Sequence, residues 1–228
     1  MCKQISSMIV ILVTLMGVMG CMQISEQDRM VRYLEKKYGE QFVPLGSRFG
    51  GIGNDYSILA VENSRFPGEE ILVMRYTPED SDTQYSDNYQ AFRLRDQINV
   101  ELHEMVSEIY GVCKVYYKVP YAALPSYCTQ ELTMEELLSD EKILANIYLF
   151  LSVGVPVEEK EAQLELLKQQ LVIKGYQIKG SVCYIQDQEH YEKINQENVM
   201  QSCNEGVLPA GNGSFLLKGE EFVYSRWR

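Results

Sequence analysis

Residues 25–42 read SEQDRMVRYLEKKYGEQF, and the succession they establish, helix then glycine then strand, organises the chain on either side. Ser25 ahead of Glu26, Gln27 and Asp28 is an N-cap with an acidic first turn, and Met30, Leu34 and Tyr38 follow at the four-residue spacing of one helical face. Gly39 stops this helix, because glycine enters the left-handed region without a Cβ clash, and Phe42 opens a strand. Further along, Phe42 to Arg48, Tyr56 to Glu62 and Ile71 to Tyr76 are strand candidates separated by glycine- and asparagine-rich turns. A polar loop from Thr77 to Ser86 leads to Asp87 as the expected cap of a long helix. Ala91, Leu94, Ile98, Leu102, Met105 and Ile109 hold one face of that helix up to Gly111, and Val112 to Val119 is the next strand.

The second half repeats the vocabulary. Thr133 and Glu136 form a capping box, Ile143 to Val153 is a continuous apolar strand, and Pro156 opens a helix that Gly175 closes. Tyr176 to Ile185 is a strand, Asp187 to Asn195 a short helix, and Asn212-Gly213 a hairpin signal joining Val207-Leu208 to Phe215-Leu216-Leu217, with Phe222 to Arg226 as a last edge strand. This order predicts an α+β chain, a largely antiparallel or mixed sheet packed against helices. The shared helix-glycine-strand pattern is that of two small cystatin-like or ferredoxin-like halves, residues 25–120 and 133–228. The junction falls at residues 121–132, where Pro120 and Pro125 interrupt both periodicities.

The first twenty residues form a separate unit. One cation, Lys3, precedes an apolar run from Ile5 to Gly20, the shape of a secretory signal. The run ends in Val18-Met19-Gly20-Cys21, which resembles a bacterial lipobox, with Val18 and Gly20 as the signal-peptidase recognition positions and Cys21 as the residue that receives diacylglycerol. Tyr33-Leu34, Lys37-Tyr38-Gly39 and Phe42 resemble the YLxxKYGxxF opening of small uncharacterised envelope lipoproteins of Gram-positive bacteria. The two resemblances imply a lipid-anchored domain on the extracytoplasmic face of the cell membrane. Residues 22–24 leave only a short tether, so the domain is expected to sit close to the bilayer.

Charge narrows the partners. Lys and Arg number 21 against 32 Asp and Glu, the net charge is −11, and removal of residues 1–20 takes Lys3 with it and gives −12. No run of even four basic residues occurs, which argues against a nucleic-acid partner. The partners expected are the membrane, through lipid at Cys21, and an envelope protein.

Motifs for chemistry fail at defining positions. His103-Glu104 begins like HExxH, but Ser107 stands where the second zinc ligand belongs. Asp80, Asp82 and Gln84 begin like a calcium loop, yet Tyr85 replaces its glycine and Ala91 its bidentate glutamate. No GxSxG elbow occurs, and no metal or cofactor is expected. Four cysteines, Cys113, Cys128, Cys183 and Cys203, remain available for disulfides, and three pairings stay open. Among 16 tyrosines, Tyr117, Tyr121 and Tyr127 are the candidate interaction surface, since tyrosine combines rigid apolar area with a polar tip. The expected role is a non-enzymatic interaction domain of the envelope. A single-cleft binder of small ligands and an envelope hydrolase are the alternatives.

Overall fold

The computed structural model describes residues 25–49, 55–79 and 81–228. The signal segment, Val18, Gly20, Cys21 and the tether lie outside them. Helix α1 (Glu26–Tyr38) begins on a reciprocal cap, in which the Ser25 hydroxyl accepts from the Asp28 amide at 3.1 Å and the Asp28 carboxylate accepts from the Ser25 amide at 3.2 Å. Gly39 ends the helix at φ 70°, its amide donating to the Glu35 carbonyl. Met30 and Leu34 pack on an antiparallel meander of β1 (Val43–Phe49), β2 (Tyr56–Glu62), β3 (Ile71–Tyr76) and β4 (Gln84–Asp87), four strands lying in chain order. The sequence signalled only a loop at β4. It is four residues long, without apolar alternation, and is recruited by pairing with β3.

Helix α2 (Tyr89–Tyr110) then crosses to a second sheet. This sheet holds β5 (Cys113–Lys118), β6 (Ala145–Leu151), β7 (Ile178–Ile185), β8 (Val207–Lys218) and β9 (Glu221–Trp227), again in chain order. Between strands lie α3 (Met134–Ser139), α4 (Lys160–Lys174), α5 (Gln188–Lys193) and α6 (Val199–Ser202). Strands β6 and β7 are parallel, and α4 supplies the crossover that a parallel pair requires; the other pairs are antiparallel. The α+β architecture expected from the sequence is therefore present as two sheets.

Two expectations change. Strand β5, assigned to the first half by the proline signal, is the edge of the second sheet, so the boundary between sheets falls at the turn from β4 into α2 and not at residues 121–132. The reason is that α2 packs its long apolar face on the second sheet's core, and Gly111 returns the chain directly beside β6. Nor is Asn212-Gly213 a hairpin turn. It lies inside the twelve-residue β8, where Gly213 leaves room for the Trp227 ring and the turn to β9 falls at Gly219-Glu220.

The second sheet is covered on both faces. One face, with Ile147, Leu149, Val182, Phe215 and Leu217, packs under α2, α3 and α4. On the other, Phe150, Cys183 and Ile185 pack under Tyr191, Ile194, Val199 and Cys203 from the α5–α6 segment. That segment covers only part of its face.

Candidate functional site

The polar residues of the helix-ending motif converge on one carboxylate. Asp87, fully buried at the end of β4, accepts from the Tyr33 hydroxyl at 2.9 Å, the Tyr38 hydroxyl at 2.8 Å, the Lys37 ammonium at 2.8 Å and the Tyr89 amide at 2.9 Å. Lys37 also donates to the Cys128 carbonyl at 3.0 Å, which ties α1 to the loop beyond β5. Desolvation, then the Asp87 charge, pushes both tyrosines well above the ordinary phenol range, so neither is poised as a base or nucleophile. Asn88, not Asp87, occupies the N-cap position of α2, and it makes no side-chain cap bond there. The cluster is a clamp that closes α1 on the sheet.

The three tyrosines proposed as a surface are not brought together. Tyr117 is fully buried, because β5 alternates and turns Cys113, Val115 and Tyr117 toward α2. Tyr121 is 69% exposed and donates to Glu70 at 3.0 Å. It lines a cleft of about 600 Å³ between the two sheets, beside Phe92, Val119 and Met200. Within this cleft Arg95 pairs with Glu69, and its Glu70 pairs with Arg48 from β1. Tyr127, 51% exposed, donates to Asp140 at 2.7 Å and lines a different cavity.

The four cysteines left open for disulfides are all free and buried. Cys183 and Cys203 meet in one apolar cluster; bonding to Cys203 and burial raise the Cys183 thiol, and the same contact lowers that of Cys203. Burial pushes Cys113 and Cys128 up to about 11. At pH 8 each is then expected to be thiolate in only about one molecule per thousand, and the thiolate is the reactive form. Iodoacetamide at that pH is expected to leave Cys113 and Cys128 unmodified in the native protein and to label both in denaturant. Stoichiometric native labelling, read by peptide mass mapping, would contradict their burial.

A feature that no motif signalled lies on the second sheet, on the face that α5 and α6 partly cover. Register places three rungs of side chains across it. The first runs Lys118, Asn146, Lys179, Leu216, Tyr224 and the second Tyr116, Tyr148, Ser181, Ser214, Arg226. The third, Lys114, Phe150, Cys183 and Asn212, lies under the α5–α6 segment, where Lys114 donates to the carbonyls of Tyr191 at 2.7 Å and Ile194 at 2.8 Å and so caps the end of α5. The first two rungs border an open recess of about 240 Å³, lined also by Asn204, Asn212 and Arg228. No rung contains Asp or Glu, and no carboxylate side chain lines the recess.

A second feature is an aromatic row at one end of the first sheet. Phe49 stacks on Tyr56 with ring centroids 4.8 Å apart, and Tyr56 lies directly opposite Tyr76. The three are 49%, 42% and 42% exposed. They point away from α1, since their neighbours Ser57 and Arg75 reach Glu26 at its first turn.

Among the described residues no group of three or more His, Cys, Asp or Glu is placed to hold a metal ion. No described helix is long and apolar enough to cross a membrane. No protein-family model matches the chain, and no curated protein does. Among solved structures, the crystal structure of a DUF5037 family protein from Ruminococcus gnavus is similar at 14% identity over 86% of this chain and 93% of that one, with a TM-score of 0.45. So distant a likeness carries no functional inference.

Proposed function

We propose that the chain is a membrane-anchored extracytoplasmic lipoprotein, held by lipid at Cys21 and serving as a non-enzymatic binding domain of the cell envelope. One observation carries the membrane part. The end of α1 at which residues 1–24 join the domain is the end of the first sheet that exposes Phe49, Tyr56 and Tyr76. Three residues separate Cys21 from Ser25, and the four steps from one Cα to the next reach at most about 14 Å in extended chain, so a lipid at Cys21 brings the aromatic row to the bilayer surface. Aromatic side chains suit that zone, with an apolar body for the acyl boundary and, in tyrosine, a hydroxyl for the headgroups. Asp55, Glu79 and Asp82 flank this end, so the contact is apolar and gains nothing from anionic lipid.

Cys21→Ser is expected to release the protein from membranes, and a cleaved product still retained would overturn the anchor. Orientation is read separately, on the lipidated full chain in phosphatidylcholine vesicles. An environment-sensitive dye at Tyr76→Cys is expected to be quenched by brominated lipid severalfold more than one at Val223→Cys, an exposed position on the second sheet. Equal quenching on a membrane-bound protein would remove the orientation and leave the anchor.

A further inference from the structure

The geometry points to the open recess on the second sheet as a binding site for an anionic saccharide, a sugar unit carrying phosphate or carboxylate. The inference goes beyond the anchor and needs neither Cys21 nor the aromatic row.

Charge is the first support. A chain with net charge −11 has carboxylates to spare, and several cations elsewhere use them: Lys37 with Asp87, Arg48 with Glu70, Arg95 with Glu69, Lys168 with Glu221, Lys174 with Glu101 and Lys193 with Glu189. The recess gathers cations without any. Lys179, Arg226 and Arg228 line one concavity that holds no Asp or Glu, and none of the three is in an ion pair among the described residues. Gathering like charges on one face costs self-repulsion, and a bound anion removes that cost. Arg226 is also held in place. Its Nε donates to the Ser214 hydroxyl at 3.2 Å and its guanidinium lies 5.5 Å from the Tyr224 ring centroid, which leaves the terminal nitrogens for a forked bond to an oxyanion.

The rest of the lining selects the class of anion. Ser181, Ser214, Asn204 and Asn212 offer hydroxyls and amides, which both donate and accept as sugar hydroxyls do. Tyr148 and Tyr224 add aromatic rings to the lining, a surface suited to the C–H face of a pyranose. A recess of about 240 Å³ holds one or two sugar units and not a folded partner. An acidic peptide would satisfy the cations but brings no pyranose C–H face to the two aromatic rings.

The probes are glucuronate and glucose 6-phosphate, with glucose, inorganic phosphate and a glutamate-rich peptide as comparators, titrated against the full chain by calorimetry. Binding of one or both charged sugars is expected, at least about tenfold tighter than glucose or inorganic phosphate, and weakening with salt. Which charged sugar binds distinguishes carboxylate from phosphate as the anion. Arg226→Met and Lys179→Met are each expected to weaken binding by about tenfold or more, the loss of one charge-assisted hydrogen bond. Both side chains lie at the surface of the sheet, so unchanged melting temperatures are expected and serve as the folding control. The inference is overturned if neither charged sugar binds at millimolar concentration, if the variants bind as the wild type does, or if only the peptide or phosphate alone is bound.

Discussion

Lys37→Met is expected to destabilise the protein by about 3–5 kcal/mol, the loss seen when one partner of a buried ion pair is removed and the other is left charged. The size follows from where Asp87 sits. Its side chain is 1% exposed and that of Lys37 is 16%, so water does not replace the lost ammonium. Methionine keeps the length and apolar stem of lysine, which confines the change to the charge. The remaining donors to Asp87, two tyrosine hydroxyls and one backbone amide, are neutral. The informative companion is the double variant Lys37→Met, Asp87→Asn. It leaves no uncompensated charge and retains an acceptor oxygen for the tyrosines, so it is expected to be more stable than Lys37→Met alone. Urea denaturation of the three proteins checks this. A single variant within about 1 kcal/mol of wild type, or a double variant less stable than the single, would show that the clamp does not close α1 on the sheet.

The same cluster marks how far the sequence could be read. Helix α1, its cap and its glycine stop were legible because they are local: the cap spans three residues and the stop one. That Tyr33, Lys37 and Tyr38 serve one carboxylate was not legible, since Asp87 lies about fifty residues away and reads as a helix cap when seen alone. The three tyrosines do not form one surface for a related reason. Tyr117, Tyr121 and Tyr127 are close in sequence, but β5 alternation buries the first and two different cavities take the others. The cationic recess shows the reverse. Lys179 and Ser181, and Tyr224 and Arg226, are spaced two apart, as residues on one face of a strand must be. Nothing local says that β7 and β9 flank the same strand. That depends on the register of β8, where the Asn212-Gly213 signal pointed to a turn.

Gly180→Val sets strand propensity against packing. Valine is among the best strand residues and glycine among the poorest, so propensity alone predicts a gain in the middle of β7. The structure predicts a loss of about 3 kcal/mol, at the top of the usual range for overpacking a core. Gly180 pairs with Phe215 across the β7–β8 ladder, and a Cβ at position 180 would stand 2.2 Å from Cε1 and 2.3 Å from Cζ of that ring. Those atoms are not the free end of a flexible chain. Phe215 is fully buried and packs on Phe222 with centroids 5.6 Å apart, so the ring has no vacant place to turn into. Phe215→Leu supplies the test of cause. It removes ring atoms at the point of collision, and in that background Gly180→Val is expected to cost at least about 1 kcal/mol less than it does alone, a coupling typical of residues in contact. Additive losses would mean that Gly180 is needed for its backbone and not for the space it leaves. A gain in stability from Gly180→Val would mean that the Phe215 ring does not lie across β7.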